Sequence, residues 1–283
     1  MPSLKTLRKR VASVRSTQKI TKAMKMIAAA RLRRAQDAAE RARPYSGKLA
    51  ETLGVVAAGI EPEAHPLLAR REERRVDLLV LTSDRGLCGG YNHNLLRMAH
   101  RFLGSGGREA SVAVVGRKGI EYFRRRGVAI LQQQVGMATT PVTDLTRELS
   151  AVLTKRFVDG ETDAVYLAYN RFVSPMQQVP MVTPLLPISL PKSEGPPVDY
   201  IFEPDRTALL DMLLPRYVQA VMTQALLEAV ASEHGARMTA MDNATTNASE
   251  MIERLTLSMN RARQAAITTE LMEVVSGAEA LKG

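Results

Sequence analysis

The C-terminal part of the chain carries a hydrophobic repeat that constrains the fold more than any other feature. From Tyr217 to Thr269, mostly apolar residues recur at alternating spacings of three and four. This heptad pattern is typical of a helix that pairs with another helix in a left-handed coiled coil. Many of the repeat positions are Ala, so the partner helix must approach closely. Pro215 precedes the repeat and predicts either a kink or the true beginning of the helix.

The N-terminal segment predicts a second long amphipathic helix. Its first 36 residues hold eleven Lys or Arg and no Asp or Glu. Ser3 is a suitable N-cap. Apolar residues then recur at Leu4, Leu7, Val11 and Val14. After a phase shift, we expect Ile20, Met24 and Ile27 to continue the same stripe, in a helix of about forty to fifty residues.

The two ends of the chain carry opposite charge. Residues 1–50 contain fourteen basic and two acidic residues, which gives +12, whereas residues 208–283 contain six basic and nine acidic residues, which gives −3. Because the two helices lie at opposite ends of the chain around a central domain, the expected pairing is antiparallel.

The central part of the chain alternates predicted strands and helices, which indicates an α/β sheet. The predicted strands are Val76–Thr82, Ser111–Val115, Val128–Leu131, Asp163–Val173 and Gln178–Leu186. The predicted helices are Asn94–Leu103, Ile120–Arg126 and Asp144–Val158, the last capped by Thr143 or Asp144. Seven of the fourteen prolines fall between Pro180 and Pro204, so the last strand is expected at the edge of the sheet.

The sequence shows no combination of residues suited to catalysis. Cys88 is the single cysteine, which excludes an intramolecular disulfide. Four scattered histidines lack zinc-ligand spacing, and Asp84 and Asp205 lack an acid–base partner. No apolar run reaches the length of a membrane span. We therefore expect no catalytic residue, no metal and no cofactor.

The stretch "TSDRGLCGGYN" (residues 82–92) is the most enzyme-like part of the chain. Its glycines Gly86, Gly89 and Gly90 could let backbone N–H groups surround an anion at a helix N-terminus. The stretch nevertheless matches neither common nucleotide-binding glycine motif. A tight structural turn with a buried Cys88 is the preferred interpretation.

Two surfaces suggest partners. The basic N-terminal face could bind nucleic acid, an anionic membrane or an acidic protein, or could simply be solvated, and a protein-contacting or solvated face is favoured because aromatic residues are lacking. The C-terminal end "ELMEVVSGAEALKG" is small and apolar, which indicates insertion into another protein or a frayed end.

Three segments carry a resemblance to a known family. They are "ASVRSTQKITKAMKMIAAARLRRAQ" (residues 12–36), "TSDRGLCGGYN" and "NRARQAAITTELMEVVSGAEAL" (residues 260–281). Together they resemble the gamma subunits of F-type ATP synthases across essentially the whole chain. The resemblance implies a Rossmann-like α/β domain at residues 59–204, flanked by coiled-coil helices at residues 1–58 and 205–283.

The resemblance also implies a function and its partners. Such a subunit is a non-catalytic rotor that couples rotation of a membrane c-ring to the catalytic sites of beta subunits. Its implied partners are three alpha and three beta subunits, an epsilon subunit and the c-ring. A bacterial origin is expected, because nothing like a transit peptide precedes the start. The expected location is the cytoplasmic side of the bacterial inner membrane, and the chain is not expected to span that membrane. The alternative retained is a basic coiled-coil protein that binds nucleic acid.

The resemblance assigns roles to individual positions. The residues implied to contact the beta subunit are Met24, Lys25, Arg263, Gln264 and Thr268. The residues implied to lie in an apolar bearing at the tip are Leu271, Val274, Val275 and Leu281.

Overall fold

The computed structural model describes residues 3–58, 60–61, 65–105, 107–189 and 202–280, with side chains described to residue 278. The chain divides into two compact units. The paired-helix unit comprises residues 1–27 and 238–283, and the α/β unit comprises residues 28–237. The boundaries predicted after residues 58 and 204 separate the long helices from the central domain. They group residues by position along the chain, whereas the two compact units group residues by contacts, so these boundaries stay a prediction.

Two long helices contribute residues to both units. Helix α1 spans Leu4–Val56 and helix α5 spans Arg206–Ala280. The Ser3 hydroxyl accepts a bond from the Thr6 backbone N–H at 3.3 Å, which confirms the predicted N-cap. At the start of α5, the Asp205 carboxylate accepts the backbone N–H of Ala208 at 2.9 Å. Pro215 lies inside α5, so the alternative that this proline marks the true beginning of the helix is wrong.

In the paired-helix unit, α1 and α5 run antiparallel, as predicted. Three polar contacts set their register. Gln18 Nε2 donates to Ser249 Oγ at 2.7 Å, Thr245 Oγ1 to Thr21 Oγ1 at 2.7 Å and Lys25 Nζ to Asp242 Oδ1 at 2.6 Å. Numbers rise along α1 as they fall along α5, which defines the antiparallel direction.

The predicted phase shift in the apolar stripe of α1 is wrong. Ile20 and Ile27 are 57% and 54% exposed. Buried or half-buried positions instead continue in the phase of Leu7 and Val11, through Val14, Gln18, Thr21, Lys25 and Ala28. The stripe of buried and half-buried residues is therefore unbroken. Its middle consists of polar residues, so a pattern of apolar residues alone does not reveal it.

The α/β unit contains one five-stranded sheet with the order β3-β2-β1-β4-β5. The strands are β1 (Arg75–Leu81), β2 (Glu109–Val115), β3 (Ile130–Gln134), β4 (Ala164–Ser174) and β5 (Gln177–Leu186). All pairings are parallel except that of β4 with β5. The position of β5 at the sheet edge confirms the prediction from its prolines.

Helices cover both faces of this sheet. Because strand side chains alternate, Leu78 and Val80 of β1 pack in one cluster with α2 (Tyr91–Gly104) and α3 (Arg117–Arg124). Leu79 and Leu81 pack in the opposite cluster, with α4 (Val142–Val158) and segments of α1 and α5. Helix α4 begins earlier than predicted: Pro141 is its N-cap, no side chain caps it, and Thr143 and Asp144 lie within its first turn.

Candidate partner-binding surfaces

The segment of α1 predicted to contact a beta subunit lies in the paired-helix unit. Met24 is half-buried. Lys25 forms an ion pair with Asp242 across the two helices, and the two side chains stay 41% and 52% exposed. Lys25 therefore has a structural role within the chain, and the proposed contact of both residues with a partner stays a prediction.

The C-terminal end of α5 is uncovered. Every residue from Arg263 to Ala278 is exposed. The exposed residues include the predicted contact residues Arg263, Gln264 and Thr268 and the predicted bearing residues Leu271, Val274 and Val275. Thr268 Oγ1 donates to the Gln264 carbonyl at 2.9 Å, a bond within the helix itself. Leu281 lies outside the described residues.

The turn at residues 82–92 is closed by its own side chains. Ser83 Oγ donates to the Arg85 carbonyl at 2.7 Å and accepts Asn92 Nδ2 at 2.7 Å. The Ser83 backbone N–H donates to Asn92 Oδ1 at 3.0 Å. These bonds tie the beginning of the turn to the first turn of α2, which supports the interpretation of this stretch as a structural turn.

Two residues in this turn have a left-handed backbone conformation. Gly89 has a φ of 57°, which a glycine adopts without a steric penalty. Leu87 has a φ of 62°, and it is the one non-glycine residue with a positive φ in the described part of the chain. The Leu87 side chain is also 64% exposed, so burial of that side chain does not offset the backbone strain.

An arginine of α5 anchors the turn. Arg237 Nη2 donates to the carbonyl oxygens of Arg85 and Gly86 at 3.1 and 3.3 Å. Arg237 Nη1 forms an ion pair with the buried Glu233 at 2.7 Å. Tyr91, at the end of the turn, donates from its hydroxyl to the Ala229 carbonyl at 3.1 Å. The turn is thus attached to α5 at both ends.

Burial shifts the pKa values of the ionisable groups beside the turn. Cys88 is buried as predicted, and this burial raises the pKa of its thiol. Burial also raises the pKa of Glu233 against the opposing effect of Arg237. His234 is buried beside the guanidinium groups of Arg237 and Arg31, and burial lowers its pKa to about 4. A high-pKa thiol is a poor nucleophile at neutral pH.

The remaining carboxylates singled out in the sequence have structural contacts. Asp84 accepts the backbone N–H groups of Arg117 and Gly136 at 3.1 and 2.9 Å, and so joins the start of α3 to the loop after β3. Within the described ranges, His, Cys, Asp and Glu side chains form no group that could hold a metal ion. Among the helices of the described residues, none is long and apolar enough to cross a membrane.

Comparisons with known proteins identify the family. The family model described as ATP synthase matches residues 3–281. The ATP synthase gamma chain of Moorella thermoacetica is 51% identical over 282 residues and covers 100% of both chains. That of Anaeromyxobacter sp. (strain Fw109-5) is 51% identical over 290 residues with the same coverage. The chain belongs to the ATP synthase gamma-chain family.

Solved structures share the gamma-chain fold. A chain of the Euglena gracilis mitochondrial ATP synthase, in a structure of its OSCP, F1 and c-ring parts, superposes with a TM-score of 0.69 at 18% identity. It covers 98% of this chain and 94% of its own length. A chain of the Tetrahymena thermophila mitochondrial ATP synthase, in a structure of the central stalk and c-ring, gives a TM-score of 0.62 at 23% identity. That match covers 80% of this chain and 99% of the other.

Sequence reasoning missed two features of this gamma chain. The contacts of Arg237 with the turn at residues 82–92 link positions about 150 apart in sequence, which no local pattern indicates. The exposure of Ile20 and Ile27 was missed because they were assigned to the seam. A strict alternation of three and four from Leu7 would have placed Gln18, Thr21 and Lys25 on the seam and left both isoleucines outside it.

Proposed function

We propose that this chain is the central-stalk rotor subunit of a proton-translocating ATP synthase. It couples rotation of a c-ring to cyclic changes in the beta-subunit catalytic sites and catalyses no reaction itself. Family membership over the whole chain supports this assignment. The relatives named in the comparisons are ATP synthase chains, and nothing in them supports the alternative of a nucleic-acid-binding protein.

One structural observation carries the proposal. Helix α5 continues past its paired stretch, and its residues from Arg263 to Ala278 are all exposed although they include Ile267, Leu271, Val274 and Val275. A helix end this apolar is unfavourable in water and suits insertion into another protein. In the proposed complex, this end lies in the apolar bearing of the head. Arg263, Gln264 and Thr268 then contact a beta subunit just before it.

A single rotor can couple to three catalytic sites because its surface is asymmetric. A contact shifts the open–closed equilibrium of a site only as far as its free energy differs between the two states. At any angle, the three beta subunits meet different faces of the paired helices. Each third of a turn permutes those contacts, so the nucleotide affinity of each site changes with the angle.

The proposed partners follow from the same assignment. One copy of this chain assembles with three alpha and three beta subunits, and the α/β unit binds the epsilon subunit and the c-ring. The complex lies at the bacterial inner membrane, and this chain is peripheral to it on the cytoplasmic side.

The experiment is assembly with alpha and beta subunits of the same organism, followed by native mass spectrometry and an ATP hydrolysis assay. We expect a complex with one copy per three alpha and three beta subunits, and no hydrolysis by this chain alone. A control that lacks residues 263–283 tests the role of the exposed end. We expect it to assemble poorly. An equimolar complex with beta, or ATP hydrolysis by the isolated chain, would contradict the proposal.

A further inference from the structure

A cavity of about 250 Å³ lies within the α/β unit, between α1, α5 and the strands β4 and β5. Two tyrosines line it, Tyr169 of β4 and Tyr217 of α5. Leu167 and Val221 contribute apolar side chains to its wall, and Gln224 contributes a polar one. Pockets for drug-sized ligands have volumes of roughly 300–1,000 Å³. The size of this cavity therefore suits a smaller occupant.

Beside this cavity, two side-chain oxygen atoms are buried without a hydrogen bond to any part of the chain that the structure describes. They are Gln224 Oε1 and Glu228 Oε2. The two side chains also contact each other, because Gln224 Nε2 donates to Glu228 Oε1 at 3.0 Å. Buried polar atoms are nearly always hydrogen-bonded, since an unpaired one lowers stability. Both free atoms are acceptors, so the group that satisfies them is a donor.

The electrostatics of the cavity favour a positively charged donor. The pKa of Tyr169 is raised to about 12, first by burial and then by the Glu228 carboxylate, while Arg171 opposes this with a smaller effect. The negative charge of Glu228 therefore reaches a side chain that lines the cavity and outweighs the charge of Arg171 there. Tyrosine rings also attract cations through the negative face of their π system.

We propose that this cavity binds a small alkylammonium ion. The ammonium group donates to Gln224 Oε1 and Glu228 Oε2, and the alkyl chain lies against Leu167 and Val221. An ammonium group has several donors and no acceptor, which matches two free acceptors, whereas a neutral alcohol has a single donor. The bound ion links β4 to α5 and so stabilises the folded α/β unit. This site goes beyond the proposed function, because it depends on no other subunit.

The test is isothermal titration calorimetry of the full chain with n-butylammonium chloride at constant ionic strength. The uncharged analogue is n-butanol, and sodium chloride controls for the salt. We expect n-butylammonium to bind with a Kd of about 1 mM, as suits so small a ligand, and to raise the Tm of the chain. We expect n-butanol to bind roughly 10-fold more weakly or less, because a hydrogen bond to a charged group contributes more than one to a neutral group.

Three variants locate the binding. Glu228→Gln keeps the shape of the side chain but removes its charge, and we expect it to bind n-butylammonium roughly 10-fold more weakly. Glu270→Gln is the matched control, since it removes an exposed carboxylate from the same helix and should bind like the wild type. Gly47→Leu fills the cavity from α1, where an added Cβ meets no neighbouring atom within 4 Å, and should abolish binding. This variant should remain folded, because leucine favours a helix more than glycine does.

Several results would overturn the inference. If n-butanol binds as tightly as n-butylammonium, the cavity is apolar without a preference for cations. Equal binding to the wild type and Glu228→Gln, or unchanged binding to Gly47→Leu, would place the ion elsewhere. An absence of binding to the folded wild-type chain would also contradict the site. None of these results bears on assembly with alpha and beta subunits, which tests the proposed function separately.

Discussion

Lys25 and Asp242, which are 217 positions apart in sequence, form an ion pair with 2.6 Å between Nζ and Oδ1. Both side chains are about half exposed, so the pair contributes little to stability, in the range of about 0–1 kcal/mol for such pairs. The ion pair matters for the alignment of the two helices rather than for their stability. Together with Gln18–Ser249 and Thr21–Thr245, the pair fixes which residue of α1 faces which residue of α5.

Charge reversal tests this register. Asp242→Lys places two ammonium groups together at the seam and should lower the free energy of unfolding by about 1 kcal/mol. Adding Lys25→Asp restores an opposite pair and should recover most of the loss. Denaturant unfolding of both single variants and the double variant measures the coupling. Additive effects would mean that the two side chains do not meet in solution.

Replacing Leu87 by asparagine should stabilise the isolated chain. Asparagine tolerates the left-handed conformation that costs leucine roughly 1 kcal/mol, and little burial is lost because the side chain is mostly exposed. We expect the free energy of unfolding to rise by about 0.5–1 kcal/mol. Leu257→Asn is the control, since Leu257 is equally exposed but lies in a helix, where asparagine is unfavourable. A loss of stability in both variants would contradict the strained conformation.

Arg237→Gln should loosen the turn at residues 82–92. The variant leaves the buried Glu233 carboxylate unpaired and removes the donors to Arg85 and Gly86. We expect a destabilisation of about 3 kcal/mol and faster hydrogen exchange across the turn. Cys88 should also react faster with a thiol reagent, because its burial depends on the closed turn.

Two further variants control for the charge change. Arg216→Gln removes one exposed cation from the same helix and should alter neither exchange nor labelling of the turn. Glu233→Gln combined with Arg237→Gln removes the unpaired carboxylate and should recover part of the stability, while Cys88 labelling stays fast. Slow labelling in the Arg237→Gln variant would show that this arginine does not hold the turn closed.

His234 makes stability depend on pH in the mildly acidic range. Its pKa is lowered to about 4 in the folded chain, so the unfolded chain binds more protons between that value and about 6.5. Stability is therefore full above about pH 6.5 and falls as the pH decreases. Between about pH 7 and pH 5, the loss should be on the order of 2 kcal/mol. His234→Gln should remove this part of the pH dependence, whereas the exposed His93→Gln should not. An unchanged pH profile for His234→Gln would contradict the role of burial.

The fold was largely predictable because its signals are local. Continuous apolar runs indicated β1 and β2, and the prolines after Pro180 placed β5 at the edge, where a missing N–H costs no sheet bond. The position of the two helices at opposite ends of the chain, around a central domain, indicated an antiparallel pair, and their opposite charges favoured the pairing. The error at the start of α4 also has a local cause. Thr143 and Asp144 suit an N-cap, yet α4 begins at Val142 after Pro141, whose fixed φ suits a helix start.

The candidate surfaces were less predictable because their decisive contacts are distant in sequence. A seam with Gln18, Thr21 and Lys25 at its centre has no apolar signal, and only the partner residues Ser249, Thr245 and Asp242 explain these positions. The composition of the C-terminal end predicted insertion into another protein or a frayed end; the structure shows an exposed helix there, and the insertion stays a prediction. The contact of Arg263, Gln264 and Thr268 with a beta subunit rests on the family resemblance and awaits the assembly experiment.

The most direct test of the account is a disulfide between the two ends of the chain. Thr21→Cys with Thr245→Cys, in a Cys88→Ser background, replaces hydroxyls 2.7 Å apart. Ile20→Cys with Thr245→Cys is the control, because Ile20 points away from the seam. We expect rapid cross-linking within single molecules for the first pair and little for the control. Absence of the intramolecular link, or equal linking of both pairs, would contradict the antiparallel pairing on which the proposed rotor depends.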